Sequence, residues 1–151
     1  VLEDYYLEHI VLCLSDGLLA QCGIDLDTHR GEIAAGNLSA LCDCPFVLGS
    51  AEDIGGRIGR GLLRSSGVSP VSKATSENVE TLLALCEQGV GACFCPENLL
   101  HTALSPEQLA HLHILPLCSE ASYPICFGYL SRSYPWSVLS EFIRIAREQT
   151  A

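Results

Sequence analysis

The stretch SENVETLLALCEQGVGACFCPENLL, residues 76–100, decides the fold because it encodes one amphipathic helix followed by one apolar strand. Apolar side chains recur at helical spacing between Val79 and Cys86. Either Thr75 or Ser76 can cap the start of this helix, and acidic residues fill its first turn. The stretch therefore predicts a helix that leads directly into a strand, which is the repeating unit of α/β folds.

The turn Gly89-Val90-Gly91 predicts where this helix ends and the strand begins. Gly89 supplies the left-handed conformation with which many helices end. The apolar run Val90–Cys95 predicts the strand, and Pro96 ends it because proline has no backbone N–H to donate to a neighbouring strand.

The alternation of strand and helix continues on both sides of this stretch. Pro45–Gly49 (PFVLG) predicts a strand, and apolar positions from Ile54 to Leu63 predict a helix that ends at Ser66-Gly67. Other apolar runs predict strands at Tyr6–Ser15, Val71–Ala74, His113–Leu117 and Tyr123–Leu130. The first of these is an apolar run with Ile, Val and Leu that ends at the Asp16-Gly17 turn, so we expect it to be buried at the centre of the sheet.

Three further helical segments complete the pattern. A short helix is capped by Asn37, and another begins at Ser105-Pro106. The last helix begins at about Ser133 or Pro135, with one apolar face at Trp136, Leu139, Phe142 and Ile145. Strands that alternate with helices predict an α/β fold, namely a three-layer Rossmann-like arrangement with a mostly parallel sheet and helices on both faces.

The charge of the chain argues against direct contact with DNA or with a membrane. Eighteen acidic residues against eight basic ones give a net charge of −10, which repels phosphates and anionic lipids. Arg57, Arg60 and Arg64 recur at helical spacing, and we interpret them as a solvated helix face. No apolar run reaches the roughly 18 residues of a membrane span, so we expect a cytoplasmic protein. The first residue is Val1 and no Met occurs, which suggests a piece of a longer chain.

Nine cysteines are an odd number, and we expect them to be reduced. Those inside apolar runs are predicted to be buried and inert, and they are Cys13, Cys86, Cys93, Cys95 and Cys126. The pairs Cys42/Cys44 and Cys93/Cys95 lack the C-x₂-C spacing of structural zinc sites, so no metal is expected.

The sequence offers no assembled catalytic or nucleotide-binding motif. The glycines at 55, 56, 59 and 61 do not follow the order of a dinucleotide fingerprint or of a phosphate loop. The five histidines have no spacing that joins a nucleophile to a base. We therefore expect neither an enzyme nor a cofactor, although a nucleophile at Cys93 or Cys95 stays open in principle.

Two polar segments follow predicted strands and begin predicted helices. Gly49-Ser50-Ala51-Glu52 follows the PFVLG strand, and its small residues and hydroxyl group suit a carboxylate or similar group. In the second segment, Thr75, Ser76 and Asn78 serve equally well as helix caps and as ligand contacts. Both segments are candidate parts of a binding site for a small metabolite, anionic metabolites included.

The order of segments PFVLGSAEDIGGRIGRGLL, SENVETLLALCEQGVGACFCPENLL, LHILPL and YPICFGYLSRSYPWSVLSEFIRIARE resembles the effector-binding domain of LysR-type transcriptional regulators. The second segment carries most of the resemblance, through its helix, its G-x-G turn, its strand and its Pro-Glu pair. Type 2 periplasmic binding proteins share this fold and part of the pattern. The resemblance covers nearly all of the chain but only about half of a complete regulator.

The resemblance implies that residues 1–132 form the second regulatory subdomain and that residues 133–151 form a C-terminal helix, which packs on the absent first subdomain. In the family the effector lies between the two subdomains, DNA is bound by an N-terminal domain, and the full-length proteins form homo-oligomers. Carried over to this chain, the effector-binding positions are Leu48, Gly49, Ser50, Ala51, Phe94, Cys95 and Pro96. The alternative with the same fold is a solute-binding protein of a transporter, which nine unpaired-looking cysteines disfavour.

Overall fold

The computed structural model describes residues 1–131 and 136–150, and it divides into two compact units. The larger unit is His9–Ala121, and the smaller unit combines Val1–Glu8 with Ser122–Ala151. A long strand, β1 (Leu2–Ser15), contributes its first half to the smaller unit and its second half to the larger one. No helix among the described residues is long and apolar enough to cross a membrane.

The larger unit alternates helices with strands, as the sequence predicts. Its helices are α1 (Asp16–Cys22), α2 (Leu26–Ala34), α3 (Ile54–Ser65), α4 (Val79–Glu87), α5 (Glu97–Ala103) and α6 (Pro106–Leu109). Its remaining strands are β2 (Pro45–Gly49), β3 (Val71–Ser76), β4 (Cys93–Pro96) and β5 (Leu112–Pro116). The segment predicted to follow Asn37 as a helix is a single 3₁₀ turn at Ser39–Leu41.

The second half of β1 is buried at the centre of its sheet, which confirms that prediction. It pairs with β4 on one side and with β5 on the other, and Ile10, Leu12 and Leu14 are at most 1% exposed. Both pairings are antiparallel, so the prediction of a mostly parallel sheet is not confirmed around β1. The connection from β1 to β2 contains two helices and a 3₁₀ turn, and such a long connection can return the chain in either direction.

The parallel part of the fold is formed by β2, β3 and β4. Strand β2 pairs with β3 in parallel, and a parallel bridge joins Phe46 of β2 to Ala92, the residue before β4. Each of these strands is followed by a helix that carries the chain back, so their common direction follows from the alternation that the sequence predicts.

The G-x-G turn is explained by two different requirements. Gly89 has a φ of 76°, the left-handed conformation that ends α4 as predicted. Gly91 lies against β2, and a Cβ placed there would come within 2.8 Å of the Phe46 carbonyl carbon. This approach allows Ala92 to bond with β2 on both sides, by accepting from the Val47 N–H and donating to the Pro45 carbonyl, at 2.9 Å each.

The core of the larger unit contains four of the five cysteines predicted to be buried. They lie among leucines of α4 and α5 and are completely or almost completely enclosed: Cys13, Cys86, Cys93 and Cys95. Cys126 is only half-buried, contrary to the prediction. It lies on the strand β6 (Ser122–Gly128) of the smaller unit, and no residue of this strand is fully buried. All nine cysteines are free thiols.

The smaller unit pairs β6 with β1 and adds the helix α7 (Ser137–Thr150). The ring of Phe127 lies 4.6 Å from that of Tyr5 and 6.0 Å from that of Phe142, and the Tyr5 hydroxyl donates to the Ala146 carbonyl. The predicted helix start at Ser133 or Pro135 lies outside the described residues, as does the predicted boundary at residue 132, which stays a prediction. Of the predicted apolar face, Leu139 is half-buried, whereas Trp136, Phe142 and Ile145 are exposed.

Candidate ligand-binding site

The carboxyl ends of three parallel strands meet at one edge of the larger unit. β2 lies between β3 and β4, with Gly49 opposite Ser76 and with Phe46 opposite Ala92. Ser50 and Pro96 each follow this Phe46–Ala92 pair by four residues, so they lie at the same level at the ends of β2 and β4. We call this region, made of Gly49–Ala51, Thr75–Asn78 and Pro96, the strand edge.

Four of the seven effector positions taken from the family are accessible at this edge. Gly49, Ser50 and Pro96 are partly exposed, and Ala51 is exposed. The side chains of the other three are in the core, and they are Leu48, Phe94 and Cys95. Because these side chains are enclosed, the three residues support the edge from within rather than present side chains to a ligand.

Glycines hold α3 directly against the strand edge. Gly56 lies so close to the end of β2 that a Cβ on it would come within 2.0 Å of the Ser50 carbonyl oxygen. A Cβ on Gly59 would come within 2.4 Å of the Phe94 ring, which itself stacks on Phe46 at 5.9 Å. Gly56 and Gly59, whose spacing matches no nucleotide fingerprint, therefore allow the helix to pack closely on the sheet.

The turn from Ser50 to α3 is closed by its own side chains. The Ser50 hydroxyl accepts a bond from the Glu52 N–H at 3.3 Å, and the Ser50 carbonyl accepts from the Asp53 N–H. The Asp53 carboxylate caps α3 by accepting from the Gly56 N–H at 3.1 Å. Because Asp53 already neutralises the start of α3, the helix end is not an open anion site.

Arg60 is a feature of the strand edge that sequence reasoning missed. Its guanidinium donates from one terminal nitrogen (NH2) to the Gly49 carbonyl at 2.9 Å, and its Nε is buried without a hydrogen-bond partner among the described residues. The helical spacing of Arg57, Arg60 and Arg64 predicts a solvated helix face, but only Arg57 and Arg64 are exposed. The missed signal is that Arg60 follows Gly56 by four residues and so shares its helix face.

The segment Thr75–Asn78 divides into a cap and an open hydroxyl group. Asn78 caps α4 by accepting from the Thr81 N–H at 2.9 Å, and Ser76 accepts from the Asn78 N–H at 3.0 Å. The prediction that Thr75 or Ser76 caps the helix is therefore wrong, because β3 continues through Ser76 by pairing with Gly49. Thr75 is exposed and stays a candidate ligand contact.

Cys93 does not have the environment of a nucleophile. The neighbouring thiols of Cys13 and Cys86, together with burial, raise the pKa of Cys93 well above its ordinary value. A thiol that stays protonated and enclosed is unreactive. No group of three or more His, Cys, Asp or Glu residues in the described part of the chain could hold a metal ion.

Comparisons with known proteins identify the family of the chain. No curated protein sequence matches it. One similar solved structure is the CcmR regulatory domain of Synechocystis PCC6803 in complex with 2-PG, with 12% identity over 99% of this chain and 66% of that one, and a TM-score of 0.71. Another is the effector-binding domain of QuiR in complex with shikimate, with 11% identity over 99% of this chain and 64% of that one, and a TM-score of 0.65.

A third similar structure is a LysR family regulator, described as putative, from Pseudomonas aeruginosa, with 17% identity, a TM-score of 0.70, and coverage of 100% of this chain and 48% of that one. At these identities the likeness shows the fold alone, and the chain spans less than two thirds of the length of each of the three structures. The model of the LysR substrate binding domain matches residues 3–151. The chain therefore has a periplasmic-binding-protein-like α/β fold and belongs to the LysR substrate-binding domain family.

Proposed function

We propose that this chain is the second regulatory subdomain and C-terminal helix of a LysR-type transcriptional regulator, and that the strand edge forms one wall of its effector cleft. The observation that carries the proposal is the convergence of three parallel strand ends around Gly49, Ser50 and Pro96. In open α/β sheets, ligands bind outside the carboxyl ends of the strands, where small residues leave room for them.

The relatives support a cleft that this chain completes only in part. QuiR and CcmR are described with shikimate and with 2-PG, and the chain covers 64% and 66% of those structures. The remaining third of such a domain would supply the opposite wall. The accessible residues of the strand edge, without the core residues Leu48, Phe94 and Cys95, would then contact the effector.

We expect the effector to carry a carboxylate or another anionic group. Arg60 lies at the edge with a half-buried side chain, and its guanidinium makes one hydrogen bond to the described residues, to the Gly49 carbonyl. A guanidinium that is partly shielded from water binds planar anions such as carboxylates well, because the guanidinium can donate two parallel hydrogen bonds to the anion. Thr75 offers a hydroxyl on the neighbouring strand for a polar group of the same ligand.

The domain division follows from the same proposal. Residues 1–132 would form the second subdomain, with the three-layer arrangement expected of this fold, and residues 133–151 would pack on the first subdomain. The exposed Trp136, which immediately precedes α7, and the exposed Phe142 and Ile145 of α7 suit such packing, because a stable fold leaves few large apolar side chains together in water. Full-length protein would bind DNA through an N-terminal domain, form homo-oligomers and sense its effector without catalysis.

The free cysteines favour this function over a transporter's solute-binding protein. Nine thiols without a disulfide suit a reducing compartment such as the cytoplasm, whereas exported proteins commonly oxidise theirs.

Calorimetric titration with a panel of anionic metabolites tests the proposal. Full-length protein is expected to bind one of them, and the chain alone to bind the same compound at least about 100-fold more weakly, because half of the contacts would be missing. The variant Arg60→Gln in full-length protein should weaken binding about tenfold or more, whereas Arg64→Gln should not. Equal binding by the chain alone would contradict a cleft shared between two subdomains.

A further inference from the structure

A small cavity in the larger unit brings two cysteines together away from the strand-edge residues. Its volume is about 110 Å³, and its lining is made of Cys22, Gly23, Ile24, His29, Ala40, Asp43 and Cys44. Cys22 is the last residue of α1, and Cys44 immediately precedes β2. Gly23 turns the chain directly after Cys22 with a φ of 65°.

The two cysteines line the same cavity and differ in accessibility. Cys44 is 1% exposed, whereas Cys22 is half-buried. Burial, together with the neighbouring Cys22 thiol, raises the pKa of Cys44 to about 12. An oxidant from the solvent therefore meets Cys22 first, with Cys44 held behind it as a protonated thiol.

We propose that Cys22 and Cys44 are a peroxide-sensitive pair that forms a reversible disulfide. The Cys22 thiolate attacks one oxygen of hydrogen peroxide, the O–O bond breaks, and the leaving hydroxide takes a proton to become water. The sulfur of Cys44 then attacks the Cys22 sulfenic acid, its proton leaves, and the hydroxyl departs as a second water. Two thiols lose two electrons in total, and one peroxide is reduced to two waters.

His29 provides a proton acceptor in the same cavity. Its Nδ1 is buried and lacks a hydrogen bond among the described residues, although Glu32 Oε2 lies 3.5 Å away. In this proposal, Nδ1 of His29 takes the proton that Cys44 must lose.

Six of the other seven cysteines do not compete for this reaction. The four in the core, Cys13, Cys86, Cys93 and Cys95, are out of reach of solvent. Burial, followed by the Glu120 carboxylate, raises the pKa of Cys118, and the Asp4 carboxylate raises that of Cys126, so both stay protonated. Cys42 is exposed and, two residues before Cys44, serves as the matched control.

Mass spectrometry of the chain tests this pair. The reduced chain is treated with millimolar hydrogen peroxide, its remaining thiols are alkylated, and it is digested with a protease that cleaves before aspartate. Asp43 separates Cys42 from Cys44, so the linked peptides identify the partner of Cys22 without ambiguity. A Cys22–Cys44 link that dithiothreitol reverses is expected.

The variants Cys22→Ser and Cys44→Ala should lose this link, and Cys42→Ser should keep it. A second readout needs no variant: oxidation should raise the Tm of the wild-type chain by about 5 °C or more, since the crosslink closes the loop between α1 and β2. A link from Cys22 to Cys42, oxidation of Cys22 that stops at the sulfinic acid, or no oxidation of either residue would overturn the proposal.

Discussion

The variant Gly56→Ala tests the contact on which the strand edge depends. Gly56 lies in the first turn of α3 with its Cα against the carbonyl of Ser50, where an added Cβ would stand 2.0 Å from the oxygen. Ordinary contact begins at 3.4 Å, so the helix or the turn must move by about 1.4 Å. Both partners are backbone, and no flexible side chain can absorb the shift.

The cost follows from this displacement. Overpacking a tight contact costs about 1–3 kcal/mol, and a clash between two backbones belongs at the upper end. Alanine recovers at most about 1 kcal/mol of helix propensity, so the net loss in the free energy of unfolding should be about 2 kcal/mol. Gly61 lies in the same helix, and a Cβ added to it would meet nothing within 4 Å, so Gly61→Ala should instead stabilise the chain by about 0.5–1 kcal/mol.

Urea denaturation followed by circular dichroism separates the two variants. With a slope of about 2 kcal/mol per molar urea, the midpoint of Gly56→Ala should fall by about 1 M while that of Gly61→Ala rises slightly. Neither glycine has a positive φ, so backbone strain does not enter the comparison. Equal midpoints for the two variants would refute the close packing of α3 on the end of β2.

Two further predictions concern the second strand end and the core thiols. Asn78→Ala removes the cap of α4, so it should lower the free energy of unfolding, measured by thermal denaturation, by about 1 kcal/mol. The control Thr75→Ala changes an exposed residue and should alter this free energy by less than about 0.5 kcal/mol. In native protein at neutral pH, iodoacetamide should modify Cys42 and leave Cys93 intact until denaturant is added, since burial and neighbouring thiols keep Cys93 protonated. Rapid labelling of native Cys93, followed by peptide mapping, would show that the core cysteines are reactive after all.

Local sequence signals predicted the elements of the larger unit. The features that they did not predict depend on pairing between segments that are distant in the sequence. The bounds of β2, the end of α4 at Gly89 and the cap of α6 at Ser105 depend on neighbouring residues alone, and each is confirmed. The direction of β1 depends on its partners β4 and β5, which no local pattern encodes. The cap of α4 is Asn78 rather than Thr75 or Ser76 for the same reason, because pairing with Gly49 keeps Ser76 in a strand.

The sequence predicted which segments meet at the strand edge but not which of their side chains are accessible there. Placing the segments after β2 and β4 at one edge followed from the common direction of parallel strands, and the register supports it. Which residues face a ligand depends on packing, so the core positions Leu48, Phe94 and Cys95 were not separable from their accessible neighbours. Arg60 was missed because its role depends on the approach of α3 to Gly49.

A crystal structure of full-length protein with the anionic metabolite that binds most tightly tests the central claim most directly. We predict that the ligand lies within hydrogen-bond distance of the Arg60 guanidinium and touches the backbone of residues 49–51, with the remaining contacts supplied by the other subdomain. A ligand bound elsewhere, with the strand edge empty or covered by protein, would contradict the account.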